Sequence, residues 1–498
     1  MSYFFQNIFT RYPIKTRIFL TTLPGFFSWS LILFPIWGSF VVPYIVAYFI
    51  LFYDVYWLYK SFSLAIIAIL AHQKIRVAEK ENWLEKAKKL ANFNKVSHLV
   101  IIPNYQERVD KLRKTLSVLA TQTFPKKRIF IILAMEKREK EGREKAASLA
   151  SEFKNVFGAV FATFHPDLPN EVKGKSSNQA YGARWAYKNL FKKSKLDVDF
   201  ATVSSVDADS LFDPQYFAYL THEFLRDTNR YHKFWQSATV YYNNIWKVPV
   251  FTRIISVFGS IWRMGVLIRH ERLIANATYS LSLKMLVKIG FWDTDVIPED
   301  YRIFFKAFYK LGGKVEAAPI YLKTSMDAPL SSSYWKSLKN KYEQEKRWAW
   351  GVSDDPLFIK WWLTVPKISF WNKTLPLSRV LADHFLWPVH WFVITLSANI
   401  VAFLNPKFAK TTLGYSLSQL SGFVLSLCLL ALLVIIIIDF KERPKRPEYV
   451  SKLRYLLSPF EFILTPIAGF FLSTLPAIIA HTRLMFDKRI EYKVTEKL

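Results

Sequence analysis

Apolar positions are almost continuous from about residue 19 to residue 71. At about 1.5 Å per residue that run is far too long for one bilayer crossing, and it predicts a helical hairpin. Gly38 and Pro43 mark the expected bend, and Asp54 and Lys60 interrupt the second half. An acid inside a membrane helix marks either a functional group or a polar contact that pairs two helices. From residue 73 to 95 the pattern becomes charged and helical, as in a linker. Four short apolar runs then read as buried strands: 97–103, 128–133, 156–164 and 200–206. Helical stretches at 111–120, 137–145 and 179–191 separate them. This alternation predicts an α/β fold with a mostly parallel, doubly wound sheet. Such a sheet presents ligand sites at the carboxyl ends of its strands.

Further on, 237–242 is β-rich, and 246–267 is aromatic and amphipathic. Residues 280–290 read as a helix, a second helix opens at 297–300, a strand follows at 314–322, and a helix covers 334–350. The stretch 358–371, with Trp361, Trp362 and Trp371, has the pattern of an interfacial helix of the aromatic-belt type. Runs 386–404 and 417–438 are long enough to span, and a basic loop follows at 441–446. Run 460–480 is apolar but broken by Pro466 and Pro476.

Composition agrees with a membrane part beside a folded domain: 498 residues, 51% hydrophobic and 17% aromatic. The net charge of +29 could point to nucleic acid, but the basic residues lie largely beside apolar runs and no basic–aromatic reading module stands out. Membrane orientation accounts for them, and no nucleic-acid partner is expected. The lone Cys428 lies in an apolar run, which excludes a disulfide framework and a thiolate metal site. A cleavable signal peptide is not expected, because the first apolar run is too long, follows Arg11, Lys15 and Arg17, and lacks a small-residue cleavage site.

The candidate chemistry sits where the strands end. Asp207 and Asp209 close the strand at 200–206, and two hard oxygen ligands one residue apart can hold Mg²⁺ or Mn²⁺. Such pairs also occur in ordinary turns. Glu107 follows the first strand, Glu136 ends the second, and Lys175 precedes a helix. Glu299 and Asp300 open a helix, where acids also serve simply to complement the helix dipole. Gln344, Arg347 and Trp348 share one face of a helix, a patch that could equally be plain surface.

Taken in order, this set resembles family 2 glycosyltransferases, and among them the membrane-embedded cellulose, chitin and hyaluronan synthases. The resemblance covers roughly residues 97–365 and includes the flanking helices. Gln344-x-x-Arg347-Trp348 is its most specific piece. The ending Tyr492-Lys-Val494-Thr495-Glu-Lys497 is similar to the Phe-x-Val-Thr-x-Lys gating loop of cellulose synthases, with Tyr492 in place of Phe. The resemblance implies a doubly wound, GT-A-like nucleotide-sugar-binding domain inserted between transmembrane helices. It implies that Pro103, Tyr105 and Glu107 contact the nucleotide, with Glu136 standing where the family has an aspartate. It implies further that Asp207 and Asp209 serve Mg²⁺ or Mn²⁺ and that Lys175 and Arg347 lie near the phosphates. Asp300, beside Glu299, would then be the general base, while Gln344 and Trp348 hold the acceptor sugar. Pro298 replaces the family's usual Thr before the acidic pair, and the spacing from Lys175 to Asn178 is shorter than usual.

The domain plan that follows is a hairpin at 1–72, a linker at 73–96, a catalytic domain at 97–357 and an interfacial segment at 358–380. A transmembrane region at 381–482 and a tail at 483–498 complete it. The expected partners are a nucleotide-sugar donor, UDP-sugars favoured, a glycan or lipid-linked acceptor, and the bilayer. The expected activity is inverting transfer to a growing polysaccharide, processive with export. Single addition to a polyprenyl phosphate or other lipid is the alternative, and an inactive membrane scaffold is the reading from another class. The catalytic domain is expected in the cytosol, on the inner side of the cytoplasmic membrane. The segment 460–480 either spans or returns to the same side, and its prolines and the tail motif favour the return.

Overall fold

A computed structural model describes residues 2–193, 196–491 and 494–497. Eight strands form one sheet: β1 (Ser97–Asn104), β2 (Ile129–Glu136), β3 (Ala159–His165), β4 (Ala201–Ser205), β5 (Leu211–Phe212), β6 (Lys233–Val240), β7 (Tyr279–Ser282) and β8 (Glu316–Ser325). Their order is β3-β2-β1-β4-β7-β6-β8-β5. The β3-β2-β1-β4 half is parallel. β7 runs antiparallel to both β4 and β6, and β8 runs parallel to β6. Every residue of β1 is buried. Leu99 and Ile101 join one hydrophobic layer while Val100 and Ile102 join the other, the period-two alternation of a strand covered on both faces.

β7 lies in the stretch 280–290 that the sequence pattern presents as a helix. The strand runs into the helix Leu283–Ile289 without a loop, because Ser282 ends the one and accepts a cap hydrogen bond from Met285 N–H of the other. Periodicity has no room to separate them. In the charged stretch 137–145 the helix starts late, at Gly142, and runs to Glu152. The region 358–371 is divided between the helices Asp355–Thr364 and Phe370–Leu386.

Pro13–Val41, Pro43–Ala78, Thr412–Glu442 and Lys452–Met485 are long and apolar enough to cross a membrane, and Phe370–Leu386 with His390–Leu404 forms a further pair bent by 55°. The N-terminal hairpin turns at Val42, beside the expected bend. Pro43–Ala78 and Thr412–Glu442 lie side by side and run in the same direction. Asp54 accepts a hydrogen bond from Ser421 Oγ at 2.6 Å near one end, and His72 contacts Glu442 near the other. Asp54 thus makes a helix-pairing contact. Lys323 of β8 ties this pair to the sheet, with Nζ 2.8 Å from Glu442 and 3.0 Å from Glu79.

The stretch Lys452–Met485 begins and ends on the side of the sheet. Near its start Glu461 pairs with Arg253 at 2.6 Å, and just past its end Asp487 pairs with Arg17 at 3.0 Å. Beyond it, Val494, Thr495 and Lys497 line the cavity at the strand ends.

Candidate functional site

The strand ends open into a cavity of about 1380 Å³. Pro103 lines it from the end of β1 with Tyr105 and Glu107 just beyond, Glu136 from the last position of β2, and Asp207 and Asp209 after β4. Lys175, Glu299, Asp300, Gln344, Arg347 and Trp348 face it from three helices, and Val494, Thr495 and Lys497 from the tail. Tyr492 lies outside the described residues.

Lys175 is the hub of one side. Gly174, at φ 149°, makes the turn that begins the helix Lys175–Ala186. Lys175 Nζ sits 2.7 Å from Asp207 Oδ1 and 3.0 Å from Glu299 Oε1, and donates to Ala277 O at 2.6 Å. Burial works against its charge, but the two carboxylates outweigh it and hold the ammonium well above the usual lysine range. Ala277 adopts a left-handed φ of 53°, uncommon for a residue with a Cβ, and this turns both its amide and its carbonyl to the site. Its N–H donates to Asp300 Oδ2 at 3.1 Å, while Asp300 Oδ1 accepts from Tyr301 N–H at 2.9 Å. Asp300 therefore serves its own helix start and also faces the cavity.

Asp209 is the hub of the other side. It accepts from Asp327 N–H at 2.7 Å, and Lys497 Nζ lies 2.8 Å from the same oxygen. Burial pushes its carboxyl up, but the Lys497 ammonium and these hydrogen bonds prevail and hold it below the usual range. The tail is fixed along its length. Lys497 bridges Leu330 in parallel register, Asn340 Nδ2 donates to Glu496 O at 2.5 Å, and Arg347 Nη2 donates to Thr495 Oγ1 at 2.9 Å. Glu107 lies close by, its carboxyl raised by burial against the opposing effect of Lys111. Glu136 is buried and accepts from Arg138 Nε at 2.6 Å, and the Arg138 guanidinium lies 3.9 Å from the Tyr105 ring centroid.

The helix Tyr334–Ala349 starts at Ser333, which caps Lys336 N–H. Its Gln344 is buried and accepts from Lys341 Nζ at 3.1 Å, so this face is no surface patch. Lys341 Nζ also pairs with Glu345 at 2.7 Å and lies 4.7 Å from the Trp348 ring centroid. Asn178 also lines the cavity; its Nδ2 donates to Ala134 O at 2.6 Å and lies 3.4 Å from Asn104 O, tying the ends of β1 and β2.

Asp207 and Asp209 supply hard oxygen donors. Among the described residues no group of three or more His, Cys, Asp or Glu gathers around a point. A small divalent cation here would complete its shell from a bound diphosphate and water, which suits Mg²⁺ or Mn²⁺.

Residues 203–438 match the family model described as glycosyl transferase family group 2. That stretch, just under half of the chain, is similar to a glycosyltransferase family 2 domain. The chain is similar in structure to the Pyrobaculum calidifontis mannosyltransferase PcManGT in complex with GDP-Man and Mn²⁺, at 12% identity and TM-score 0.39, over 86% of this chain and 100% of that one. It is also similar to S. aureus TarS 1–349 in complex with UDP-GlcNAc, at 12% identity and TM-score 0.38, over 72% and 95% of the two chains. Comparison with curated proteins gives no match.

Around this site, Ala277, Asp327 and Lys341 escape the sequence reading. Only Lys341 had a signal: it stands three residues before Gln344 and seven before Trp348, on the same helix face. Glu299 yields a pH prediction. Burial, with Asp300 and Asp207 nearby, pushes its carboxyl up to about 7 despite Lys175. A carboxyl raised on folding keeps a proton that the unfolded chain has released. Stability contributed by this group is therefore full below about pH 4.5 and is lost as pH rises to about 7, on the order of 3 kcal/mol in all. Thermal unfolding in detergent is expected to show that decline, and Glu299→Gln to flatten it. Equal slopes would remove Glu299 as its source.

Proposed function

We propose that this protein is a membrane-embedded inverting glycosyltransferase that moves a sugar from a nucleoside-diphosphate sugar to an acceptor hydroxyl. One observation carries the reading: the Asp207/Asp209 pair, the Glu299/Asp300 pair and Arg347/Trp348 meet in one cavity at the carboxyl ends of a mostly parallel half-sheet. An inactive scaffold has no physical need to hold Asp207, Asp209, Glu299 and Asp300 together against their mutual repulsion.

Pro103, Tyr105 and Glu107 bind the base and ribose, with Glu136 below them. UDP is the favoured nucleotide. Mg²⁺ or Mn²⁺ held by Asp207 and Asp209 would supply positive charge against the departing diphosphate. Lys175 and Arg347 add fixed cations to the same charge. Asp300 takes the acceptor proton as the hydroxyl oxygen attacks the anomeric carbon from the face opposite the diphosphate, and a single displacement inverts that carbon. Trp348 gives the acceptor sugar an aromatic face, and Gln344 a hydrogen-bonding partner. Residues 97–357 form the catalytic domain on the cytosolic side, the N-terminal hairpin and the helices after residue 381 cross the cytoplasmic membrane, and Lys452–Met485 dips in and returns.

The direct test is release of nucleoside diphosphate by the purified protein in nanodiscs, across UDP- and GDP-sugars, with Mg²⁺ or Mn²⁺ and with chelator. Chelator-sensitive release from one donor supports the reading, and absence of release from every donor in the presence of lipid extract overturns it. Trp348→Ala is expected to raise the acceptor KM roughly 3–10-fold, the equivalent of one lost aromatic contact. An unchanged acceptor KM would place the acceptor elsewhere.

A further inference from the structure

The groups described above occupy one end of the cavity. Beyond Trp348 it continues between Pro43–Ala78, Val250–Val266, His390–Leu404 and Thr412–Glu442. Four cations line this second part: Lys60, Arg263, Arg269 and Arg272. Two carboxylates answer them. Asp383 lies 2.7 Å from Arg272 and 3.8 Å from Lys60, and Glu271 lies 2.9 Å from Arg269. Arg263 has neither. Its Nη1 donates to Gly259 O at 3.1 Å within its own helix, and its Nε is buried with no hydrogen-bond partner among the described residues. The guanidinium lies 5.1 Å from the ring centroids of both Tyr241 and Trp348, at the junction of the two parts of the cavity.

The second part also opens sideways. Leu429 and Leu433 line it, yet they are 62% and 55% exposed on the outer surface of Thr412–Glu442. The contacts of Ser421 with Asp54 and of Glu442 with His72 set the register of the two parallel helices. That register puts these leucines within about one turn of the level of Lys60. Lys60 lies about 25 Å along its helix from Pro43 at about 1.5 Å per residue, close to the inner edge of a hydrocarbon core about 30 Å thick. The opening and the cations therefore stand at the depth of inner-leaflet headgroups.

We propose that the acceptor is carried on a lipid with a phosphate or diphosphate headgroup. The phosphate rests among Lys60, Arg263 and Arg272, the tail leaves past Leu429 and Leu433 into the inner leaflet, and the acceptor end reaches Trp348. A guanidinium donates two parallel hydrogen bonds to a phosphate, which answers the unpartnered Nε of Arg263. A neutral glycan would leave that group and the surplus positive charge unanswered at a buried site, a costly state. The proposal rests on the glycosyltransferase reading and narrows its acceptor.

The test uses the full chain in phosphatidylcholine nanodiscs, with farnesyl phosphate, farnesol and inorganic phosphate as probes. Wild-type protein is expected to bind farnesyl phosphate at least about tenfold more tightly than either farnesol or inorganic phosphate. Arg263→Gln and Lys60→Gln should each weaken farnesyl phosphate by about tenfold, and Arg263→Lys by less. Equal binding of farnesol, or of inorganic phosphate, to wild-type protein overturns the proposal, and that comparison needs no variant to fold. UDP and GDP binding with Mn²⁺ is measured on the same sample. Loss of nucleotide binding would strike the enzymatic reading, whereas nucleotide binding without a preference for farnesyl phosphate would strike the lipid assignment alone.

Discussion

Asp300→Asn is expected to lower kcat by about 10²–10⁴-fold, the usual worth of a positioned general base. The substitution keeps the size of the side chain, and one amide oxygen can still accept from Ala277 N–H, as Asp300 Oδ2 does now at 3.1 Å. What it removes is the charge proposed to receive the acceptor proton. Donor affinity should change by no more than a few-fold, because Lys175 and Arg347, proposed to face the phosphates, do not hydrogen-bond to Asp300. Nucleotide release at saturating donor measures kcat, and equilibrium binding of the donor measures the rest. Turnover within threefold of wild type would exclude Asp300 as the base. Glu299 would not then inherit the role by default, since it is buried and committed to Lys175 at 3.0 Å.

Lys497→Ala is expected to tighten Mn²⁺ binding by about 10–100-fold in the absence of donor, the range that removal of one charge-assisted contact to Asp209 should yield. In the resting protein the Lys497 ammonium stands 2.8 Å from Asp209 Oδ2, where a divalent cation would also have to approach. Burial disfavours that ammonium, yet Asp209 and Asp207 raise its pKa well beyond the usual range, so it stays charged and competes at every working pH. Removing it frees the carboxylate without disturbing the Asp327 N–H bond at 2.7 Å, so Asp209 keeps its orientation. Mn²⁺ titration followed by electron paramagnetic resonance reads the affinity directly. An unchanged dissociation constant would show that the ammonium does not guard the metal ligands.

What was legible in the sequence was mainly local. A buried strand ending in Asp207 and Asp209 is a pattern within ten residues, and so is a helix carrying Gln344, Arg347 and Trp348 on one face. The α/β alternation showed as well, because β1 and β2 are buried on both faces and carry the short apolar runs 99–102 and 129–134. The antiparallel insertion of β7 was hidden, since four residues that flow straight into a helix have no periodicity of their own. Contacts between distant positions were hidden for a different reason. Nothing near Lys497 indicates that it will meet Asp209, 288 positions away, and the resemblance of the tail to a gating loop suggested a role but no partner. Arg263 reads as one polar position on an amphipathic helix. Only the fold sets it over Trp348 without a carboxylate.

The parallel pairing of Pro43–Ala78 with Thr412–Glu442 bears on how the chain is made. Ser421 closes on Asp54 across 367 positions, and Glu442 closes on His72 across 370. At a synthesis rate of about 5–20 residues per second, Asp54 emerges roughly 20–70 seconds before its partner exists. During that interval the α/β domain has all its strands and can fold, while the first hairpin keeps an acid without its hydroxyl and a groove without its second wall. A nascent chain released before residue 421 would then carry a formed domain on an unfinished bundle, a natural mark for quality-control proteases to recognise.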